Sequence, residues 1–186
     1  MKSKNLIFSI ALSMFLACFP NISYSAEKIN LYINIFSRSI TLKELEDFSD
    51  YGVSEGFLKK ILKKQNQSLI KEHLTKEYKA PIELTSRLLY SEIGSVVLKK
   101  ISKIIYPDRI PKESISVLAL KTATIKAIAE KNDSISLLTF LKAYPSKVIA
   151  INVMELSRVI NNVESMNELV KFFSDSPLEK LKSYTK

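Results

Sequence analysis

The sequence predicts a mainly α fold: a single multi-helix domain with a small β element, formed by an N-terminal hairpin and one late strand. Three observations support this fold class. Apolar residues recur at helical spacing through most of the chain. Residues 28–40, KINLYINIFSRSI, instead alternate with a period of two, which is typical of strands. A second strand-like run, KVIAIN at 147–152, follows Pro145 late in the chain.

Residues 1–25 have the order of a signal peptide, so we expect an exported protein. Two lysines precede an apolar run from Leu6 to Phe19, and small residues follow at Ser25 and Ala26. The run is shorter than the roughly 20 residues that span a bilayer. Cleavage is expected after Ser25, with cleavage after Ala26 as the second choice. An uncleaved N-terminal anchor is the alternative.

Cys18 raises the alternative of a lipoprotein. A lipidated cysteine normally has an aliphatic residue three positions before it and a small residue two before it. Here those positions hold Phe15 and Leu16, so lipidation is disfavoured. The mature chain is then expected to contain no cysteine, which would exclude disulfides, thiolate metal sites and a cysteine nucleophile.

The remaining chain has the length of one domain, which we place at residues 26–173 with a tail at 174–186. The sequence carries 28 basic and 19 acidic residues, a net charge of +9, and the predicted mature form without Lys2 and Lys4 carries +7. Its lysines alternate with apolar stripes and form solvated helix faces. Arginine is scarce and tryptophan absent, so nucleic-acid binding is not expected. Weak contact with an anionic membrane surface remains open.

The first helices are defined by their capping residues. TLKE, from Thr41 to Glu44, has the pattern of a capping box and begins a helix that Gly52 ends. Ser54 is expected to cap the next helix, which begins near Phe57 and places apolar residues on one face.

The middle of the chain predicts three further helices. A short helix is expected at 68–76, and another spans SEIGSVVLKKISKIIY at 91–106. The apolar stripe of the second is Ile93, Val96, Val97, Ile101, Ile104 and Ile105. Pro81 and Pro111 lie where a first helical turn tolerates proline. Residues 114–129, SISVLALKTATIKAIA, are apolar on nearly all sides and are expected to form the central, most buried helix.

Two elements complete the predicted domain. Ser134 is expected to cap the helix ISLLTFLKAY, which stops at Pro145. Asn152 is expected to cap a last long helix. The apolar stripe of that helix is Leu156, Ile160, Val163, Val170 and Phe173.

The late strand must have a partner, because an isolated strand leaves its backbone N–H and C=O groups unpaired. We therefore expect KVIAIN to pair with the N-terminal hairpin and so bring the ends of the domain together. Its alternation places Ile149 and Ile151 on one face, and this larger pair is expected to point into the core.

Two segments carry a resemblance to a known family: AEKINLYINIFSRSITLKELEDFSDYG, and, after a helical middle, LLTFLKAYPSKVIAINVMELSRVI. Together they resemble an N-terminal helical domain of unknown function in exported cyanobacterial α/β-hydrolase proteins, over about residues 26–173. In the two-domain relatives a hydrolase domain with the serine nucleophile follows this one. The resemblance implies, as a partner, a separately encoded hydrolase or another exported protein.

The residues themselves assign no catalytic site. An α/β-hydrolase places its serine in a Gly-x-Ser-x-Gly elbow, and none of Gly52, Gly56 and Gly94 flanks a serine in this way. His73 is the only histidine and is expected on the surface of a short charged helix.

No cofactor-binding or metal-binding residue is assigned either. One histidine and scattered carboxylates do not form a ligand set. The acidic group Glu44, Glu46, Asp47 and Asp50 more simply complements the dipole of its helix. We therefore expect an exported, non-catalytic accessory or binding domain. A helical carrier of an apolar ligand or lipid is the alternative, and an enzyme of unfamiliar design is a third reading.

Overall fold

The computed structural model describes residues 25–63 and 65–161. Its helices are α1 (Leu42–Tyr51), α2 (Gly56–Leu62), α3 (Gln67–Thr75), α4 (Ile82–Tyr90), α5 (Glu92–Ile101), α6 (Glu113–Glu130), α7 (Leu137–Ala143) and α8 (Val153–Asn161). Its strands are β1 (Lys28–Ile33), β2 (Phe36–Thr41), β3 (Tyr78–Lys79), β4 (Ile105–Pro107), β5 (Ser134–Ile135) and β6 (Val148–Asn152). Among the residues so described, none of the helices has the length and apolarity needed to cross a membrane.

The strands form two sheets. The larger is a four-stranded mixed sheet in the order β2-β1-β6-β4, in which β1 pairs in parallel with β6 and the other pairs are antiparallel. The smaller joins β3 and β5 antiparallel. The prediction of a mainly α fold with a small β element is therefore wrong, because the described chain has an α/β arrangement.

The error comes from three strands that are too short to show a period of two. β3 and β5 have two residues each, and β4 has three. The predicted apolar stripe of the helix at 91–106 includes Ile105, but that helix ends at Ile101 and Ile105 begins β4. Such a short strand is stabilised by backbone hydrogen bonds to a neighbouring strand. The sequence of the short strand does not show that this neighbour lies beside it.

The predicted pairing of the late strand with the hairpin is confirmed. Ile29 lies opposite Ile149 and Leu31 opposite Ile151, so the paired side chains share one face of the sheet. Ile149 has no exposed surface, and Ile151 is half-buried. Ala150, on the opposite face, is also fully buried, so both faces of β6 are covered.

The capping box of α1 is confirmed. The Thr41 hydroxyl accepts a hydrogen bond from the Glu44 N–H at 3.1 Å, and the Glu44 carboxylate accepts one from the Thr41 N–H at 2.7 Å. Gly52 ends the helix with φ +72°, a left-handed conformation that glycine adopts without steric strain. The predicted cap at Ser54 is wrong: Glu55 is the N-cap residue of α2, and its side chain makes no capping hydrogen bond.

Of the two helix caps predicted later in the chain, the first is wrong and the second is confirmed. Ser134 does not begin a helix but lies in β5, and Ser136 caps α7 in a capping box with Thr139. The predicted cap at Asn152 is confirmed, because its amide oxygen accepts hydrogen bonds from two backbone N–H groups in the first turn of α8 at 3.1 and 3.2 Å. Residues 1–24 of the predicted signal peptide (1–25), residues 162–173 of the predicted domain and the predicted tail at 174–186 lie outside the described residues.

α6 is the central helix, as predicted, and packs against α4, α5, α7, β4 and β5. Its buried residues are Ser116, Ala119, Leu120, Ala123, Ala127 and Ile128. The stripe predicted for α5 is only partly correct. Gly94 and Leu98 are the buried residues of that helix, whereas Ile93 and Val96 are exposed.

Candidate functional site

An open apolar cleft of about 760 Å³ lies beside α6. Its floor is a stripe of that helix, and its two walls are the connection from β4 to α6 and the loop that precedes β6. This volume lies in the range of small-molecule binding sites, roughly 300–1,000 Å³. The residues that line the floor are Ile115, Leu118, Ala119 and Thr122.

The floor explains why the sequence of α6 is apolar on nearly all sides. One stripe of the helix is buried in the core, and the floor stripe, at spacings of three and four residues, faces the cleft. Leu118 remains 57% exposed and Ile115 38% exposed. The helix therefore has two apolar faces, and the core covers only one of them completely.

The first wall is the turn between β4 and α6. Pro107, the last residue of β4, is buried, and its carbonyl oxygen accepts a hydrogen bond from the Ile110 N–H at 3.1 Å. This turn directs the Ile110 side chain to the cleft, where it is 49% exposed. Lys112 then begins α6 as an N-cap residue without a side-chain hydrogen bond.

The second wall is the loop that joins α7 to β6. Pro145 follows the end of α7, where it cannot continue the helix. The Ser146 hydroxyl donates to the Val148 carbonyl at 2.9 Å, which tightens the turn into β6. The carbonyl oxygen of Lys147 accepts from the N–H groups of Glu27 and Lys28 at 2.9 and 3.2 Å. The start of β1 is thereby fixed against this wall.

A polar bridge holds the turn of the first wall to the sheet. The Asp108 carboxylate accepts hydrogen bonds from the Tyr32 hydroxyl at 2.7 Å and the Asn30 amide at 3.2 Å. β6 separates β1 from β4, and Ala150 lies between the bridging side chains on this face of the sheet. A small side chain at Ala150 leaves room for the bridge to pass over β6.

The bridge also changes the electrostatics of Tyr32. The hydrogen bond to Asp108, followed by burial and the negative charge of Asp108, raises the pKa of the Tyr32 hydroxyl. A raised pKa keeps this phenol protonated as a donor. The bridge therefore ties β1 to the turn after β4 through two hydrogen bonds.

The rim of the cleft carries three charged side chains: Glu27, Arg109 and Lys147. Lys147 forms an ion pair with Glu27, with 3.8 Å between the ammonium nitrogen and the carboxylate oxygen. Both side chains are largely exposed, so the pair contributes little to stability. Arg109 has no acidic partner within the described part of the chain. The rim is positive on balance.

The residues weighed in the sequence for catalysis do not meet at this cleft. His73 is exposed on α3, and Gly94 lies inside α5. Glu44 is used by the capping box, and Glu46 forms an ion pair with Lys142 at 2.6 Å. In the ranges 25–63 and 65–161, no group of histidine, cysteine and carboxylate side chains is arranged to hold a metal ion.

The cleft is not among the features that the sequence predicts. The signal was present in α6, where Ile115 and Leu118 lie outside the stripe that the core uses. Residues at both walls are prolines, Pro107 and Pro145, which favour sharp turns next to a strand. Neither feature predicts that the two loops lie beside the same helix face.

One family model matches this chain. It is described as an alpha/beta hydrolase of unknown function (DUF1400) and covers residues 25–152, which include every residue that lines the cleft. No curated protein and no solved structure matches the chain.

Proposed function

Because this chain belongs to the family of alpha/beta hydrolases of unknown function (DUF1400), we propose that it is an exported, non-catalytic accessory or binding domain of that family. The observation that supports this proposal most directly is the apolar cleft on α6. Exposed leucine and isoleucine side chains that are grouped in a concave surface favour an occupant, since contiguous apolar surface of this kind is typical of binding sites.

The non-catalytic part of the proposal is supported by the sequence and by the position of His73. The sequence has three glycines, and none of them forms a Gly-x-Ser-x-Gly elbow. A serine–histidine pair would have to use His73, which is an exposed residue of α3 and does not line the cleft. General acid–base catalysis needs the base within hydrogen-bond reach of its nucleophile, and among the described residues no hydrogen bond joins His73 to a serine.

We also propose that the protein is exported and that it binds a partner. The signal peptide pattern of residues 1–25 supports export, with cleavage after Ser25 or Ala26. The partner we propose is a separately encoded hydrolase or another exported protein. A weak contact with anionic membrane surfaces is also proposed, because the basic residues outnumber the acidic ones.

The proposal that the protein is non-catalytic is tested with purified protein, short acyl esters and a serine-directed fluorophosphonate. We expect no ester turnover above the buffer rate and no labelling. Labelling that a single Ser→Ala change abolishes would contradict the proposal. N-terminal sequencing of the exported product should begin at Ala26 or Glu27, and a product that begins at Met1 or carries an acylated Cys18 would contradict the export route.

The binding part is tested by native mass spectrometry of the protein as exported. We expect a co-purifying species that the wild type retains and that Leu118→Ser releases. Leu84→Ser is the matched control, because Leu84 is 66% exposed on α4 and does not line the cleft. If both variants retain the species equally, the cleft is not the binding surface.

A carrier of an apolar ligand is the second candidate function. The volume and the aliphatic floor of the cleft favour it, because both match small-molecule sites. The same mass spectrometry separates the candidates: a released small molecule supports the carrier, whereas a released polypeptide supports the accessory domain.

A further inference from the structure

We infer that the cleft binds a single-chain amphiphile, one alkyl chain that carries a carboxylate head group. This inference rests on the second candidate function proposed above, the carrier of an apolar ligand, in which the cleft is the binding surface. It adds the chemical class of the ligand, and it follows from the floor, the walls and the charges at the rim.

The floor fits one alkyl chain. From Ile115 to Thr122 the helix rises about 10 Å at 1.5 Å per residue, so the floor offers a straight apolar track of that length. Pro107 and Ile110 line one side of it, and Pro145 and Val148 the other. An alkyl chain in the trough would cover the exposed Leu118, Ile115 and Ile110 side chains, which gives the apolar driving force for binding.

A peptide is a poorer occupant of the same trough. Its backbone N–H and C=O groups would lose water and would need new partners. The floor offers one hydroxyl, that of Thr122, and the Ser146 hydroxyl at the wall already donates to Val148. An alkyl chain requires no such partners.

The charged side chains at the rim of the cleft favour a negatively charged head group. Arg109 is exposed beside the trough and has no acidic partner among the described residues, while Glu27 offsets the charge of Lys147. A guanidinium can donate two parallel hydrogen bonds to a carboxylate, which is a stronger contact than one between neutral groups. A cationic head group would instead meet the uncompensated positive charge of Arg109.

The inference is tested by isothermal titration calorimetry of the full mature protein with decanoate, kept below the concentration at which it forms micelles. Decanol and decyltrimethylammonium, which have the same tail, serve as the uncharged and cationic comparisons. We expect decanoate to bind at least about fivefold more tightly than either, a difference in line with one charge-assisted contact. If decyltrimethylammonium binds as tightly as decanoate or more tightly, the inference of an anionic head group is wrong.

Two pairs of variants locate the ligand. Leu118→Ser should weaken decanoate binding about tenfold or more, because it removes a large aliphatic contact, and Leu84→Ser should leave it within twofold. Arg109→Gln should reduce the preference for decanoate over decanol, whereas Arg87→Gln, on the exposed side of α4, should not. Each exposed site tolerates the change without loss of a core contact, and thermal melts would verify folding.

The results separate this inference from the proposed function. If decanoate does not bind but Leu118→Ser still releases the natural species in native mass spectrometry, the ligand class is wrong and the binding role of the cleft stands. If decanoate binds equally to the Leu118→Ser and Leu84→Ser proteins, binding occurs elsewhere and the inference fails. If neither assay responds to Leu118→Ser, both proposals fail.

Discussion

The Tyr144 hydroxyl is a buried polar atom without a hydrogen-bond partner in the described part of the chain. The side chain has no exposed surface, and its ring makes a T-shaped contact with the ring of Phe140, with 6.1 Å between centroids. A buried hydroxyl that loses its bond to water and gains none costs about 1–3 kcal/mol. Aromatic packing therefore holds Tyr144 in the core despite its polar atom.

Tyr144→Phe is expected to leave the free energy of unfolding unchanged or to raise it by about 1 kcal/mol, because it removes only the unpartnered hydroxyl. Tyr32→Phe is the comparison, since it removes the 2.7 Å hydrogen bond to Asp108 and should lower stability by about 1 kcal/mol. Urea denaturation of the three proteins measures both effects. A loss of stability in Tyr144→Phe as large as that in Tyr32→Phe would show that its hydroxyl has a partner.

Three tyrosines should make the fold sensitive to alkali. Burial raises the pKa of Tyr144 and Tyr106, and the bond to Asp108 raises that of Tyr32. A raised pKa favours the neutral phenol in the folded state, so its contribution to stability is complete below the unfolded pKa of about 10 and is lost as pH rises through the folded pKa. Phenolate absorbance at 295 nm should show these tyrosines titrating above the value found in denaturant. Identical titrations in the two states would contradict this.

Gly94 is a residue where the usual effect of alanine in a helix should be reversed. A Cβ atom built at Gly94 would lie 1.9 Å from the Leu88 carbonyl oxygen, where α5 begins against the end of α4. Glycine to alanine normally stabilises a helix interior by about 1 kcal/mol. Here the clash is with backbone, so Gly94→Ala should destabilise the protein by about 1–3 kcal/mol in a thermal melt. An increase in stability would show that α4 and α5 can move apart.

At the scale of the element, caps decide where helices begin. α1 begins at a reciprocal pair of hydrogen bonds between Thr41 and Glu44, whereas α2 begins at Glu55 without a side-chain cap. Thr41→Ala should therefore lower stability by about 1 kcal/mol. Ser54→Ala, one residue before the uncapped start of α2, should have an effect within about 0.5 kcal/mol. Denaturant melts compare the two, and equal losses would mean that the capping box adds nothing.

At the scale of the whole molecule, β6 joins the two ends of the described chain. It lies between β1 and β4 in the sheet, and its side chain at Ile149 faces the core with Ile29 of β1. A parallel pair so far apart in the sequence forms at the cost of the entropy of closing the long loop between its strands. The hydrogen bonds of β6 therefore require the rest of the domain to be folded, and β6 in turn contributes Ile149 to the core of that domain.

A double-mutant cycle tests this contact. Ile149→Ala and Ile29→Ala should each cost about 2–5 kcal/mol, because both side chains are buried. Their combined effect should differ from the sum by at least about 0.5 kcal/mol, since the residues are paired in register. Ile149→Ala with Ile135→Ala, in the other sheet, should be additive within that margin. Strict additivity for Ile29 and Ile149 would mean that β1 and β6 do not share one core.

The sequence by itself determined the features that depend on neighbouring residues. The capping box at Thr41, the helix end at Gly52, the cap at Asn152 and the period-two hairpin are all local patterns, and the structure contains each of them. One partner of the late strand, the N-terminal hairpin, also followed from the sequence, whereas its other partner, β4, did not.

Only the tertiary structure decided the fold class and the cleft. β3, β4 and β5 are too short to have a readable period, and they become strands only where another strand offers hydrogen-bond partners. The cleft requires the turn after Pro107 and the loop at Pro145 to lie beside the same face of α6. Residues far apart in the chain meet at the cleft. The pattern within α6 shows that this helix has two apolar faces, but it does not show which face the core will cover.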